Sequence, residues 1–193
     1  MKVVKFAAAI AALALAATAF AACGGNSGSS SVSDTQKWAD SVCTAGSELK
    51  TAATDLADAV KSPSISDIAG YKAKVAQKYS ALETAVAAVD QQWSAASTIN
   101  NDTTGAMQTL RKDEQALYTA WALVQTASTK VSKATSIGGA IGATTELAGA
   151  MTQTVAAASL LVQGYKDFTS SKNDQLKQAF SNASSCKALF GKK

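Results

Sequence analysis

Chemistry has few footholds in this sequence. Its 193 residues include three cysteines, no histidine and 14 carboxylates. Without imidazole, a transition-metal site would need clustered thiolates and carboxylates, and Cys23, Cys43, Cys186 and the scattered acids form no such cluster in the sequence. A serine or threonine nucleophile lacks its usual base. No Cys-x-x-Cys-His run is present to attach a haem. Gly138-Gly139-Ala140-Ile141-Gly142 has the glycine density of a phosphate loop. No Lys-Ser or Lys-Thr follows it and no strand pattern precedes it, so it reads as a helix–helix corner. Asp113-Glu114 stand beside Arg111-Lys112, and neighbouring side chains on a helix point apart, which describes a solvated face rather than a working acid pair. Glu114 alone falls on an apolar seam, either by drift of register or as a buried or functional carboxylate. The sequence therefore predicts a non-catalytic protein, with no catalytic, cofactor-binding or metal-binding residue.

The opening residues are more informative. Lys2 and Lys5 precede an apolar run from Phe6 to Ala22, the layout of an export signal. The run is rich in alanine and is followed by a break, so it is too weak for a lasting membrane anchor. Phe20-Ala21-Ala22-Cys23 resembles the lipobox of bacterial lipoproteins, with Phe20 where leucine is usual. That resemblance implies a cysteine that becomes the mature N-terminus and carries a diacylglycerol thioether. Ala19-Phe20-Ala21 also fits an ordinary secretory cut, which would leave Cys23 a plain thiol. Parity favours lipidation, because an odd thiol count leaves one cysteine over in an exported chain. With Cys23 acylated, Cys43 and Cys186 remain as a pair, and disulfides persist outside the cytoplasm.

These readings divide the chain into three parts. Residues 1–22 are a lipoprotein signal peptide, 23–33 the lipidated (palmitate-type) cysteine and a Gly/Ser tether, and 34–193 a helical bundle domain. Two or more acyl chains hold stably where one does not, and ten tether residues have a reach of roughly 17 Å.

The elements of the domain follow from apolar spacing. Trp38, Val42, Ala45, Leu49, Ala52, Leu56 and Ala59 recur at steps of four and three, one face of a helix capped by Ser33 or Asp34 and ended by Ser62-Pro63-Ser64. Ser66 and Asp67 open a second helix with Ile68, Tyr71, Val75, Tyr79, Leu82, Val86, Val89, Trp93 and Ala96 on its seam, closed by turn formers at 100–102. A third begins near Thr103 or Thr104 and runs through Met107, Leu110, Glu114, Leu117, Trp121, Val124, Ser128 and Val131. Ser136 to Gly139 break the pattern. A fourth, from Ala140 to Phe168, carries no charge between Glu146 and Lys166 and reads as apolar all round, hence central. Leu176, Phe180, Ala183, Leu189 and Phe190 mark a last helix, either separate or continuing the fourth through a kink. Lys187, Lys192 and Lys193 suit the negative end of its dipole. Long helices with short loops pack most simply as an antiparallel four-helix bundle. The expected fold is all-α, such a bundle with a short C-terminal helix, its ends joined by a Cys43–Cys186 bond. Trp38, Trp93, Trp121, Tyr71 and Tyr79 sit at core spacing, where they either pack or line a ligand cavity. Lys72, Lys74 and Lys78 form either a wet face or a patch for anionic lipid.

Charge narrows the partners. Lysine and arginine number 18 against 14 acids; with Lys2 and Lys5 removed the excess shrinks to 16 against 14, too even for nucleic-acid binding. The alanine-rich signal, the Cys23-Gly-Gly-Asn-Ser-Gly-Ser-Ser-Ser junction and the Trp38-Ala-Asp-Ser-Val-Cys43 opening resemble small helical lipoproteins of actinobacteria and their prophages. The resemblance implies the outer face of the cell membrane, and for some prophage-borne members exclusion of superinfecting phage. The expected function is a lipid-anchored, extracytoplasmic binding protein for a surface partner. A carrier of a small apolar ligand or lipid is the alternative.

Overall fold

The computed structural model describes residues 30–61, 63, 66–99 and 105–191. Cys23, the signal peptide and the start of the tether lie outside the described residues, as do Thr103, Thr104, Lys192, Lys193 and the turn at 100–102. Among the described residues the chain is all helical. Four long helices, α1 (Ser30–Lys61), α2 (Ile68–Ile99), α3 (Gly105–Lys133) and α4 (Ile137–Asp167), are followed by a 3-10 turn (Phe168–Ser170) and two short helices, α5 (Asp174–Asn182) and α6 (Ser184–Gly191).

The expected seams are the buried faces. Trp38, Val42, Ala45, Leu49 and Leu56 of α1, Tyr71, Val75, Leu82, Val86 and Val89 of α2, and Leu110, Leu117, Trp121, Val124 and Val131 of α3 all join one core. Seven-residue spacing drifts against 3.6 residues per turn. The burial accordingly moves from Ala52 to Ala53 in α1 and from Ser128 to Ala127 in α3.

Contacts between helices give their order. Trp38, early in α1, donates its indole N–H to the Gln92 carbonyl late in α2 at 3.1 Å. At the other end of the pair, Lys78 of α2 reaches Asp55 of α1 at 2.7 Å. Lys130, late in α3, pairs with Glu146, early in α4, while Gly164 near the end of α4 lies against Leu110 near the start of α3. In each pair the start of one helix meets the end of the next.

Four features differ from expectation, each for a physical reason. α1 starts at Ser30 rather than at a Ser33 or Asp34 cap. Neither proline nor glycine follows Gly28 to stop it, and each residue added to an existing helix gains a hydrogen bond. α4 starts at Ile137, with Gly138 and Gly139 inside its first turn instead of before it. Ser136 is the N-cap, its hydroxyl accepting from the Gly139 N–H at 3.2 Å. α4 is not apolar all round either. Its solvent face carries Gly142, Thr145, Gly149, Thr152 and Ser159, and the three hydroxyls bond back to carbonyls one turn earlier. This face lacks charge without lacking polarity.

The fourth difference is the C-terminal segment, which forms two helices. Ala183 turns extended, at φ −58° and ψ 127°, and α6 starts afresh beneath Asp40 of α1. The Asp40 carboxylate accepts from the Ser185 N–H at 3.0 Å and from the Ser184 hydroxyl at 3.3 Å. The Ser185 hydroxyl lies 2.8 Å from the same carboxylate oxygen and 2.7 Å from the Asp40 carbonyl. Burial acts to raise this carboxyl, but the hydrogen bonds from Ser185 and Ser184 outweigh it and hold it below its ordinary value. A carboxyl lowered on folding adds stability above its unfolded value and loses it as pH falls through the folded value. Asp40→Ala is therefore expected to destabilise the domain by about 1 kcal/mol at neutral pH. The deficit should shrink as the pH is taken below the ordinary carboxylate range, in urea unfolding curves of both proteins.

α1 and α4 approach closely where α1 has glycine. A Cβ on Gly46 would lie 2.8 Å from Cε2 of Tyr165, whose ring is buried and has nowhere to go. Gly46→Ala gains about 1 kcal/mol in helix propensity and loses about 1–3 kcal/mol to overpacking. A net loss is expected in the same unfolding curves.

Candidate functional site

Two of the three cysteines meet where the chain's ends meet. Cys43 of α1 and Cys186 of α6 are bonded, with their Cα atoms 5.0 Å apart. Both are fully buried. The third, Cys23, lies outside the described residues.

The aromatic residues pack mainly against one another. Trp38 meets Trp93 edge-on at 6.3 Å between ring centroids and Phe180 edge-on at 5.6 Å. Phe168 stacks on Phe180 at 4.7 Å, and Tyr79 on Trp121 at 5.2 Å. The Tyr71 hydroxyl reaches Thr144 of α4 at 3.1 Å. Such edge-on and offset arrangements are those that ring quadrupoles favour in a packed interior.

The basic triplet is divided among internal tasks. Lys72 donates to the Ala134 carbonyl just past the end of α3 at 2.9 Å, where a cation suits the negative helix terminus. Lys78 is paired with Asp55. Lys74 is exposed.

Asp113 and Glu114 diverge as expected, yet neither is simply solvated. Asp113 is raised by burial and then by the Asp167 carboxylate across on α4. Glu114 is half-buried, and one of its oxygens lies 3.0 Å from the Tyr118 hydroxyl. The same hydroxyl lies 2.8 Å from a carboxylate oxygen of Asp90 on α2. Burial raises Glu114 most, with Asp90 adding to it, against a lowering by Tyr118 and Arg111. Sequence alone placed Glu114 on the seam, and Tyr118 one turn on along the same helix, but it gave no sign of Asp90, which joins them only across from α2. The Trp93 indole nitrogen is buried and lies toward the Tyr165 hydroxyl. Tyr165 is pushed up by burial and by Glu114.

The glycine run lines an open groove. Gln125, Thr126, Thr129, Lys130 and Lys133 form one wall on α3, and Gly139, Gly142, Ala143 and Glu146 the other on α4, around a volume of about 820 Å³. Missing side chains on the α4 wall create the space. Next to it Ile137 and Ile141, one turn apart, are 49% and 41% exposed. With Pro63, Ile68 and Tyr71 they make an apolar notch at the end of the bundle that holds the α1–α2 and α3–α4 connections. The start of α1 is at the opposite end, where Thr35 meets Gln175 and Asp40 meets Ser185. Thirty-two residues of α1 separate the two ends by roughly 48 Å at 1.5 Å per residue.

No group of three or more cysteine, aspartate or glutamate side chains that would hold a metal is found among the described residues. None of the described helices is long and apolar enough to cross a membrane. No protein-family model, curated protein or solved structure matches the chain.

Proposed function

We propose that the protein is a lipid-anchored, extracytoplasmic helical binding protein that works without catalysis, held at the cell membrane by a diacylglycerol on Cys23. The observation that carries this reading is the apolar notch of Ile68, Ile137 and Ile141 at the end of the bundle away from the start of α1. Exposed apolar side chains gathered in one place favour contact with another surface. A chain tethered at its N-terminus presents that end away from the bilayer, roughly 48 Å farther out along α1. The Cys43–Cys186 bond supports an oxidising location. The aromatic side chains are occupied with one another, which favours a binding surface over an interior ligand cavity. The partner is a surface protein, and exclusion of incoming phage is one process such a module serves.

The test is crosslinking on intact cells with a photoreactive residue at Ile141. One protein captured by the wild type, and lost both in Cys23→Ala and when the probe is moved to exposed Thr152, is the expected result. Capture of lipid alone, or the same yield with Cys23→Ala, overturns the reading.

A further inference from the structure

α2 and α3 are joined less intimately than α1 with α2 or α3 with α4. Long side chains bridge them: Tyr79 stacks on Trp121, and Tyr118 reaches Asp90. The second bridge contains an unusual count of protons. Two carboxylate oxygens, from Asp90 and Glu114, lie 2.8 and 3.0 Å from one phenol oxygen. A phenol has a single proton to donate, and an ionised carboxylate has none. With both acids ionised, one contact is a hydrogen bond and the other sets two oxygens with lone pairs face to face. One further proton resolves this. Held by Glu114, it is donated to the Tyr118 oxygen, whose own proton goes on to Asp90, and both contacts become hydrogen bonds.

We infer that Asp90, Tyr118 and Glu114 form a proton-operated clasp between α2 and α3, closed when Glu114 takes up a proton from solvent and loosened when it returns it. Glu114 is the holder because it is half-buried while Asp90 faces water. Burial disfavours the charged form of a carboxyl. The other groups near it are Arg111, one turn back on α3, and Tyr165 on α4, toward which the Trp93 indole of α2 lies. The Asp113 carboxyl faces Asp167 of α4 instead. A Tyr118 hydroxyl that donates to Glu114 favours its ionised form, as does Arg111, and both oppose closure, whereas burial and Asp90 favour the protonated one.

The sign of the pH effect follows. Glu114 is raised on folding, so the folded state binds more protons than the unfolded one between the unfolded and folded values. Stability contributed by the clasp is complete below the unfolded value and declines as pH rises to the folded value. Each pH unit between the two values changes the folded-to-unfolded ratio by about tenfold.

The experiment measures urea unfolding from pH 4 to pH 8 for the wild type, Glu114→Gln and Asp90→Asn. Carboxyl NMR follows Glu114 directly in the wild type and in Tyr118→Phe. The glutamine amide donates to Tyr118 without needing a proton. Asp90→Asn leaves one carboxylate for the single phenol proton. Glu114→Gln should lose the decline between the two Glu114 values, and Asp90→Asn should lose the part that Asp90 adds to burial, so both should be relatively more stable near pH 7 than near pH 4, compared with wild type. Amide exchange protection in 86–93 of α2 should fall with rising pH in the wild type alone. Glu114 should titrate above its ordinary value, with a lower midpoint in Tyr118→Phe, which removes the oxygen that accepts the Glu114 proton; a midpoint raised by Tyr118→Phe overturns the clasp. Parallel pH profiles for the three proteins, or Glu114 titrating at its ordinary value, overturn the clasp.

Discussion

Removing the disulfide with Cys43→Ala and Cys186→Ala is expected to destabilise the domain by about 2–5 kcal/mol. The two residues are 143 apart in the chain. Closing so long a loop removes much of the freedom of the unfolded ensemble, worth nearly 5 kcal/mol in the chain-entropy description. Both positions are fully buried, so alanine also leaves small gaps around α6 that add to the loss. At this size the melting temperature should drop by roughly 5–15 °C. α6 has a second attachment, the Asp40 cap, so it should remain docked until the main transition. Thermal unfolding of the wild type with and without reductant gives the same comparison without mutation. A reduced protein as stable as the oxidised one would show that the bond is incidental to the fold.

The other large effect is expected at Trp38. Its ring is 4% exposed and contacts Trp93 and Phe180, which brings α1, α2 and α5 to one point. Trp38→Ala should cost about 3–5 kcal/mol from lost burial and the cavity left behind. It also removes the hydrogen bond from the indole N–H to the Gln92 carbonyl. Trp38→Phe helps separate the two contributions, since it keeps most of the apolar contact while losing the hydrogen bond and part of the ring volume. Its expected loss is smaller, about 1–2 kcal/mol. Urea unfolding followed by far-ultraviolet circular dichroism measures both. Equal losses for Ala and Phe would place the whole effect on the hydrogen bond.

What was legible in the sequence was what is local or periodic. Tyr71, Val75, Leu82, Val86 and Val89 of the α2 seam are buried as read and Tyr79 partly so, because apolar residues at helical spacing have one face to hide. Asp67 caps α2 as read, accepting the Gly70 N–H at 2.8 Å, since capping acts over three residues. The Cys43–Cys186 pair was accessible by counting alone. What was hidden depends on partners far along the chain. The break at Ala183 has no local signal, because the group that caps α6 is Asp40, some 145 residues away. The exposed face of α4 was misread because glycine, alanine and threonine are small enough to serve either in a core or on a surface. Glu114 shows the mixture best: its place on the seam was visible, but its proton partner on α2 was not.

The staple between α1 and α6 also bears on mechanics. Tension on a domain tethered at one end and gripped at the other runs along the helix that begins at the tether. With the N-terminal anchor proposed above that helix is α1, and Cys43 lies 13 residues into its 32-residue span. Unwinding α1 from its start can therefore proceed only as far as Cys43 before the load passes covalently into α6. From there the pull must strip α6 and α5 from the core along with the rest of α1, in place of peeling a single helix turn by turn. The same bond that closes the loop thus acts as a rip-stop against force.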